Sequence, residues 1–350
     1  MERDTNEFTP AAGEKVFLLD EKGRDLLVVV VKRTFQITQR GLIPSEEQRP
    51  VDLAGECYGE PGKSSYRYEP EIAPPKPATD IVLIGHAHAS KSRQTEIDVT
   101  IRVGALAKTV RIFGDRFWDK LLGMETMTPP RPFEKIPLMY ERAFGGWDRT
   151  PADPEQYSYE PRNPVGSGYR DRKRGKFVEG LPLPNLEEPR HLIRNSKDAP
   201  PPAGFGFIGP DWTPRRNFCG TYDEKWASSR APLLPDDFDR RFYNAAHPDL
   251  IVPGRLRGDE AVDIANVSPN GTLRFNLPGE APPRVRVEMR GGARTIPTAL
   301  DTVIINTDEG RVYLLWRASL DIHGRVDDVR AIALLQSNSS QEGRVMRSSH

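Results

Sequence analysis

Apolar and polar residues alternate over the first third and the last quarter of the chain, and that pattern predicts strands. Val16–Leu19 and Asp25–Ile37 read as a hairpin turned at Lys22-Gly23. Leu26–Val31 is an unbroken apolar run rich in β-branched residues, as expected of a strand buried on both faces. Ile81–Ala89 reads as a further strand. From Thr95 to Val103, Ile97, Val99, Ile101 and Val103 face one way and charged or polar residues the other, the signature of a half-buried strand. Gly104-Ala105 turns the chain into Lys108–Gly114. Asp115–Gly123, carrying Phe117, Trp118, Leu121 and Leu122, reads as a short helix or a third strand. After Gly258-Asp259-Glu260, Gly271–Pro278 and Arg284–Arg290 alternate. Asp301–Thr307 and Arg311–Arg317 flank Asp308-Glu309-Gly310 as a hairpin, and Val329–Leu335 closes the series as a strand or short helix.

The middle follows neither period. Residues 140–250 hold 16 of the 29 aromatics and 15 of the 33 prolines. Proline is excluded from helix interiors and central strands, so this stretch is expected to be irregular backbone pinned by aromatic side chains. One exception is Pro235–Ala246, where acidic residues precede Phe238 and Phe242 at i, i+4, predicting a short N-capped helix. The expected architecture is mainly β: antiparallel, sandwich-like sheets with a long aromatic, proline-rich block inserted and one or two short helices. The expected boundaries are a flexible arm over 1–13, one large β-rich domain over 14–335, and a disordered tail over 336–350. Within the domain, strand-rich parts at 14–128 and 258–335 enclose the block at 129–257.

Charge and cysteine content narrow the function classes. Fifty basic and fifty acidic residues leave no net charge, against the basic excess usual in nucleic-acid binders. Cys57 and Cys219 do not make a disulfide framework. The N-terminus shows no secretory pattern and the longest apolar run is six residues, so the sequence predicts a cytoplasmic protein without membrane insertion.

Chemistry is sparse. No nucleophile elbow, zinc-protease helix, phosphate-binding loop or dinucleotide fingerprint occurs. His86 and His88 lie two apart on a predicted strand and would share a face, so they are the one candidate metal pair, with His247 as a distant third ligand. Two partly buried histidines bonded to backbone are the plainer explanation, since no carboxylate or cysteine lies near in sequence. Arg170–Lys176 is a short basic run, interrupted by Asp171, that fits a solvated tip or a docking patch. The adjacent carboxylates Asp236-Asp237 and Asp259-Glu260 suit turns and caps. No catalytic residue and no cofactor is expected. The aromatic-plus-arginine segments are the types that dominate protein interfaces, and also the types that hold loops together. From them we take Tyr140, Arg142, Trp147, Tyr222, Trp226 and Arg240 as candidate protein-contact residues.

A set of motifs in fixed order carries a family likeness. It runs through Lys76–Asp80, Gly114–Trp118, Tyr140–Gly146, Arg162–Tyr169, Leu183–Glu187, Pro202–Ile208, Gly220–Asp223, Phe238–Ala246, Gly258–Glu260, Leu300–Val303 and Trp316-Arg317. On these the chain, from about Lys32 to Leu320, resembles a bacterial domain-of-unknown-function family encoded beside VgrG and PAAR genes in type VI secretion clusters. The resemblance implies a non-enzymatic adaptor or chaperone that loads a toxin effector onto the VgrG/PAAR spike, with no catalytic residues. The alternative is a metal-dependent or hydrolytic enzyme using His86/His88 and the loop block.

Overall fold

A computed structural model describes residues 11–171, 173 and 177–335. Residues 1–10, the tail 336–350 and, within the basic run, Arg172 and Arg174–Lys176 lie outside the described residues.

The fold is mainly β. In chain order the strands used below are β1 (Ala12–Leu19), β2 (Asp25–Thr38), β3 (Gly41–Pro44), β4 (Thr79–Ile84), β5 (His86–His88), β6 (Glu96–Val103), β7 (Leu106–Phe113), β8 (Trp118–Leu121), β9 (Met124–Met127), β10 (Leu186–Glu187), β11 (Ile251–Val252), β12 (Ala261–Ser268), β13 (Gly271–Asn276), β14 (Arg284–Met289), β15 (Gly292–Pro297), β16 (Ala299–Asn306), β17 (Arg311–Asp321) and β18 (Val329–Leu335). A seven-stranded sheet runs β1-β2-β17-β16-β4-β11, with β3 also on β2. A five-stranded sheet runs β10-β7-β6-β12-β13, and a three-stranded sheet β15-β14-β18.

The apolar runs found their places. Leu27–Val31 of β2, all of β4 and Leu300–Asn306 of β16 are buried, as central strands covered on both faces must be. On β6 the alternating set Ile97, Val99, Ile101 and Val103 is buried. All three sheets feed one continuous hydrophobic core, and a small satellite core gathers Trp118, Phe144, Leu183 and Ile193.

Three features depart from the sequence expectation. The pair β16–β4 is parallel, Thr302 opposite Asp80, so the large sheet joins strands from both ends of the chain directly. Ala12 and Gly13, inside the stretch expected to be a flexible arm, already pair with Lys32 and Val31. Asp115–Gly123, open between a short helix and a strand, contains strand β8. Over Pro235–Ala246 only Arg240–Tyr243 is helical, as a 3₁₀ segment capped by Asp239. Asn244 leaves it in extended conformation because its side chain is held by Asp80 and the Ala78 carbonyl. The one α-helix among the described residues, α1 (Glu224–Ser229), starts where the Asp223 carboxylate accepts the Trp226 amide at 2.8 Å, and is too short to show a period.

Candidate functional site

The motif residues converge on buried charges. Asp80 on β4 and Asp301 on β16 come from adjacent central strands, and Arg317 projects from β17. Arg317 pairs with Asp301 and also donates to the Glu71 carbonyl at 2.8 Å. Glu71 takes the Lys32 ammonium at 2.6 Å and the Asp52 amide at 2.7 Å. Asp301 also accepts the Lys76 amide, and the Lys76 ammonium reaches Asp80 at 2.7 Å. Asp80 accepts from the Asn244 side chain and the Ala245 amide. Lys32, Glu71, Lys76, Asp80, Asp301 and Arg317 are all buried. Three cations thus neutralise three anions inside the core, and the loops before β4 and before β11 are tied to the large sheet through them.

The remaining motifs do similar work on the irregular block. Arg116 pairs with Glu187 in the interior, and Glu187 caps the Ile193 amide at 2.7 Å. Asn163 donates to the carbonyls of Tyr140 and Phe144. Gly145, at φ +153°, lets the chain pass against Asn163, where a Cβ would collide with its carbonyl. Gly145→Ala is therefore expected to destabilise the fold by about 2 kcal/mol or more, seen as a lowered urea midpoint.

Once these residues are committed to the interior, the candidate contact residues separate. Tyr140 is 1% exposed, with its ring edge-on to Trp212 at 5.5 Å and Gly204 pressed to its face; it is a core ring with no surface to offer a partner. Arg142 is spent on Asn185 and Asp115. Arg240 reaches Glu21 and the Pro75 carbonyl and ties the 3₁₀ segment to the first hairpin. Tyr222 and Trp226 meet edge-on at 4.7 Å, with the indole N–H on the Leu233 carbonyl. Trp147 is 47% exposed. It stacks on Tyr159 at 4.7 Å with 29° between planes, and the Arg149 guanidinium lies 5.6 Å from its ring. Trp147 lines two depressions at once. One is a groove of about 820 Å³ bounded by Arg149, Val165, Arg170, Val178 and Leu181. The other, of about 330 Å³, is walled by Tyr66, Tyr159, Trp212 and Arg216. The sequence reading missed Tyr159 and Arg149; the signal was the local density of Tyr157, Tyr159 and Trp147 around glycines that reverse the chain.

A separate apolar groove of about 560 Å³ is lined by Pro77, Ile208, Phe218, Ile251 and Pro253. Its arginines are satisfied: Arg215 donates to the Phe242 and Ile208 carbonyls, and Arg241 chelates Asp239.

Residues 22–317 match a family described as an uncharacterized protein conserved in bacteria, DUF2169. The chain belongs to this family. The match begins at the turn before β2 and ends on Arg317, so it takes in the whole buried charge network of this DUF2169 chain. Neither a curated protein nor a solved structure matches it.

Among the described residues the histidine pair of this DUF2169 chain gathers no third ligand. Gly85 breaks the predicted strand into β4 and β5. His86 Nδ1 lies 2.9 Å from Asp308, carried in from the distant β16–β17 turn, and the His86 and His88 ring centres are 6.5 Å apart. Among the described residues no group of three or more His, Cys, Asp or Glu is placed to hold a metal ion. His247 sits elsewhere, beside Lys108 and Asp249. The adjacent carboxylates cap turns: Glu260 accepts the Arg257 and Gly258 amides, and Asp237 the Thr221 amide.

His247 gives a pH prediction. Its Nδ1 accepts the Asp249 amide at 3.2 Å, and its Nε2 lies 3.4 Å from the buried Lys108 ammonium. Burial, then the Lys108 charge, push its pKa down from the usual 6.5 to about 3, with Asp249 opposing. Glu188 also faces the Lys108 ammonium, at 3.7 Å. The unfolded chain therefore binds the extra proton first. This contribution to stability is in place above pH 6.5 and is lost as pH falls towards 3. Between pH 7 and pH 5 the loss from this residue is about 2 kcal/mol. Urea midpoints across that window should fall in the wild type and fall less in His247→Gln; equal slopes would refute the assignment.

Proposed function

We propose that this chain is a non-enzymatic adaptor that docks another protein on the face built around Trp147 and Tyr159. The finer form of the proposal is that the partner is a type VI effector toxin and/or a PAAR or VgrG spike protein, and that docking helps load the effector. The observation that carries the reading is the half-exposed Trp147–Tyr159 stack between two depressions, with Arg149 beside it. Tryptophan, tyrosine and arginine supply most hot-spot energy at protein interfaces, and they do so where they line a pocket. The buried cations Arg317, Lys76 and Arg116 are each occupied by a carboxylate, and His86 is engaged by Asp308. The finer reading draws its support from the ordered motifs between Lys76 and Arg317.

Co-expression with effector, PAAR and VgrG proteins of a bacterial type VI secretion cluster, followed by pull-down at moderate salt, tests the proposal. A stable complex with one of them is expected. Loss of every complex, together with stoichiometric metal in the purified protein by elemental analysis, would move the reading to an enzyme using His86 and His88.

A further inference from the structure

The groove of about 560 Å³ beside β11 has mostly apolar walls and two buried polar side chains, Asn244 and Arg215, among its lining. Pro77, Pro214, Pro248 and Pro253 stand around it. Proline fixes its own backbone φ, so four of them set the shape before any ligand arrives. The volume falls in the range of small-molecule sites. The composition is theirs as well: apolar walls with a few placed polar groups.

Asn244 is the polar group that the fold leaves unfinished. Only 6% of it is exposed. Its side-chain N–H groups donate to the Ala78 carbonyl at 2.9 Å and to Asp80 at 2.7 Å. Two acceptors on one arm of the amide fix that arm as the nitrogen and the other as Oδ1. No donor reaches Asn244 Oδ1 among the described residues. Nor is it sealed in the core, as the unpartnered Tyr140 hydroxyl and Asn163 Oδ1 are. An open acceptor on an otherwise buried side chain faces the groove that the side chain lines.

The charges around it are already balanced. Arg215 pairs with Glu69 and donates to the Ile208 and Phe242 carbonyls. Asp239 holds Arg241 through Nε at 2.9 Å and Nη2 at 2.6 Å. Among the described residues no carboxylate lines the groove. An anionic head group therefore meets no unpaired cation there, and a cationic one meets no anion. Burying either charge without a partner is costly, and a neutral ligand avoids that cost.

We propose that this groove binds a neutral small amphiphile, an apolar chain or ring carrying one hydroxyl or amide N–H. The ligand's donor bonds Asn244 Oδ1 while its apolar part lies against Ile208, Phe218 and Ile251. The groove shares no lining residue with the two depressions at Trp147, so the inference stands apart from the docking proposal. Because Asn244 and the Ala245 amide both bind Asp80, an occupant also steadies one end of the buried charge network.

Three probes of matched length test the assignment: n-octanol, heptyl methyl ether, which lacks the donor, and octanoate at neutral pH. In the full chain labelled at isoleucine and valine methyls, octanol should give nuclear Overhauser contacts to Ile208, Ile251 and Val252. It should bind about ten-fold tighter than the ether or octanoate. It should also raise Tm with concentration, as a ligand of the native state does. Val252→Trp, which fills the groove from a half-buried strand position, should abolish the octanol effects. Ether or octanoate binding as tightly as octanol would overturn the proposal, since neither neutrality nor the donor would then matter. Contacts confined to other methyls, or an undiminished octanol effect in folded Val252→Trp, would place the ligand elsewhere and overturn it too. So would the absence of any octanol effect up to its solubility. Shifts of the Ile251 and Val252 methyls on adding the protein retained in pull-down, with none from octanol, would overturn it in favour of a partner's apolar side chain.

Discussion

Asp301→Ala is expected to lower folding stability by about 3–5 kcal/mol, because it leaves Arg317 charged and buried without its carboxylate. Chemical denaturation followed by tryptophan fluorescence reads the loss directly, since Trp316 is buried next to Arg317 in the same strand. Asp80→Ala should cost a similar amount, as it strips Lys76, Asn244 and the Ala245 amide of their acceptor at once. Removing Lys63 from its exposed contact with Glu60 should change stability by no more than about 1 kcal/mol. Equal effects at Asp301 and Lys63 would show that the buried network does not hold the loop block to the sheet.

Trp147→Ala is expected to weaken partner binding by about 2 kcal/mol or more, some thirty-fold, while the urea midpoint stays close to the wild type. Tyr140→Ala should behave in the opposite way. It empties a fully buried ring site against Trp212 and costs about 3–5 kcal/mol of stability. The two residues lie in one short segment, Tyr140–Trp147, and have the same composition-level signature. Calorimetric affinities and denaturation curves for both variants separate a contact residue from a core residue. A binding defect in Tyr140→Ala larger than its stability defect accounts for, with Trp147→Ala silent, would reverse the assignment.

That contrast shows where the sequence was legible. Strands with period two and the unbroken valine run declared themselves, since their burial follows from spacing alone: Ile97, Val99, Ile101 and Val103 are buried, and so is Leu27–Val31. Hairpins announced by Lys22-Gly23 and Asp308–Gly310 both form, the first paired without interruption and the second with a register shift between Leu300 and Thr302. The parallel β4–β16 pair was not visible, because its strands are some two hundred residues apart and nothing local specifies a non-antiparallel neighbour.

The site was less legible for the same reason. Gly145 and Gly146, both at positive φ, redirect the chain between Tyr140 and Trp147, so the faces of the two rings cannot be counted from sequence spacing. The carboxylate beside His86 arrives from Asp308, and the partners of Arg317 from Glu71 and Asp301. Such long-range pairs leave no periodic trace.

Under the proposed function a partner protein docks on the Trp147 face. Hydrogen–deuterium exchange of the chain, free and in complex with the protein it retains in pull-down, reads that face residue by residue. Protection on binding is expected over residues 144–170, with β1 and the Pro77–Ile251 groove exchanging as in the free chain. Protection confined to β1 or to the Pro77–Ile251 groove, with residues 144–170 unchanged, would contradict it.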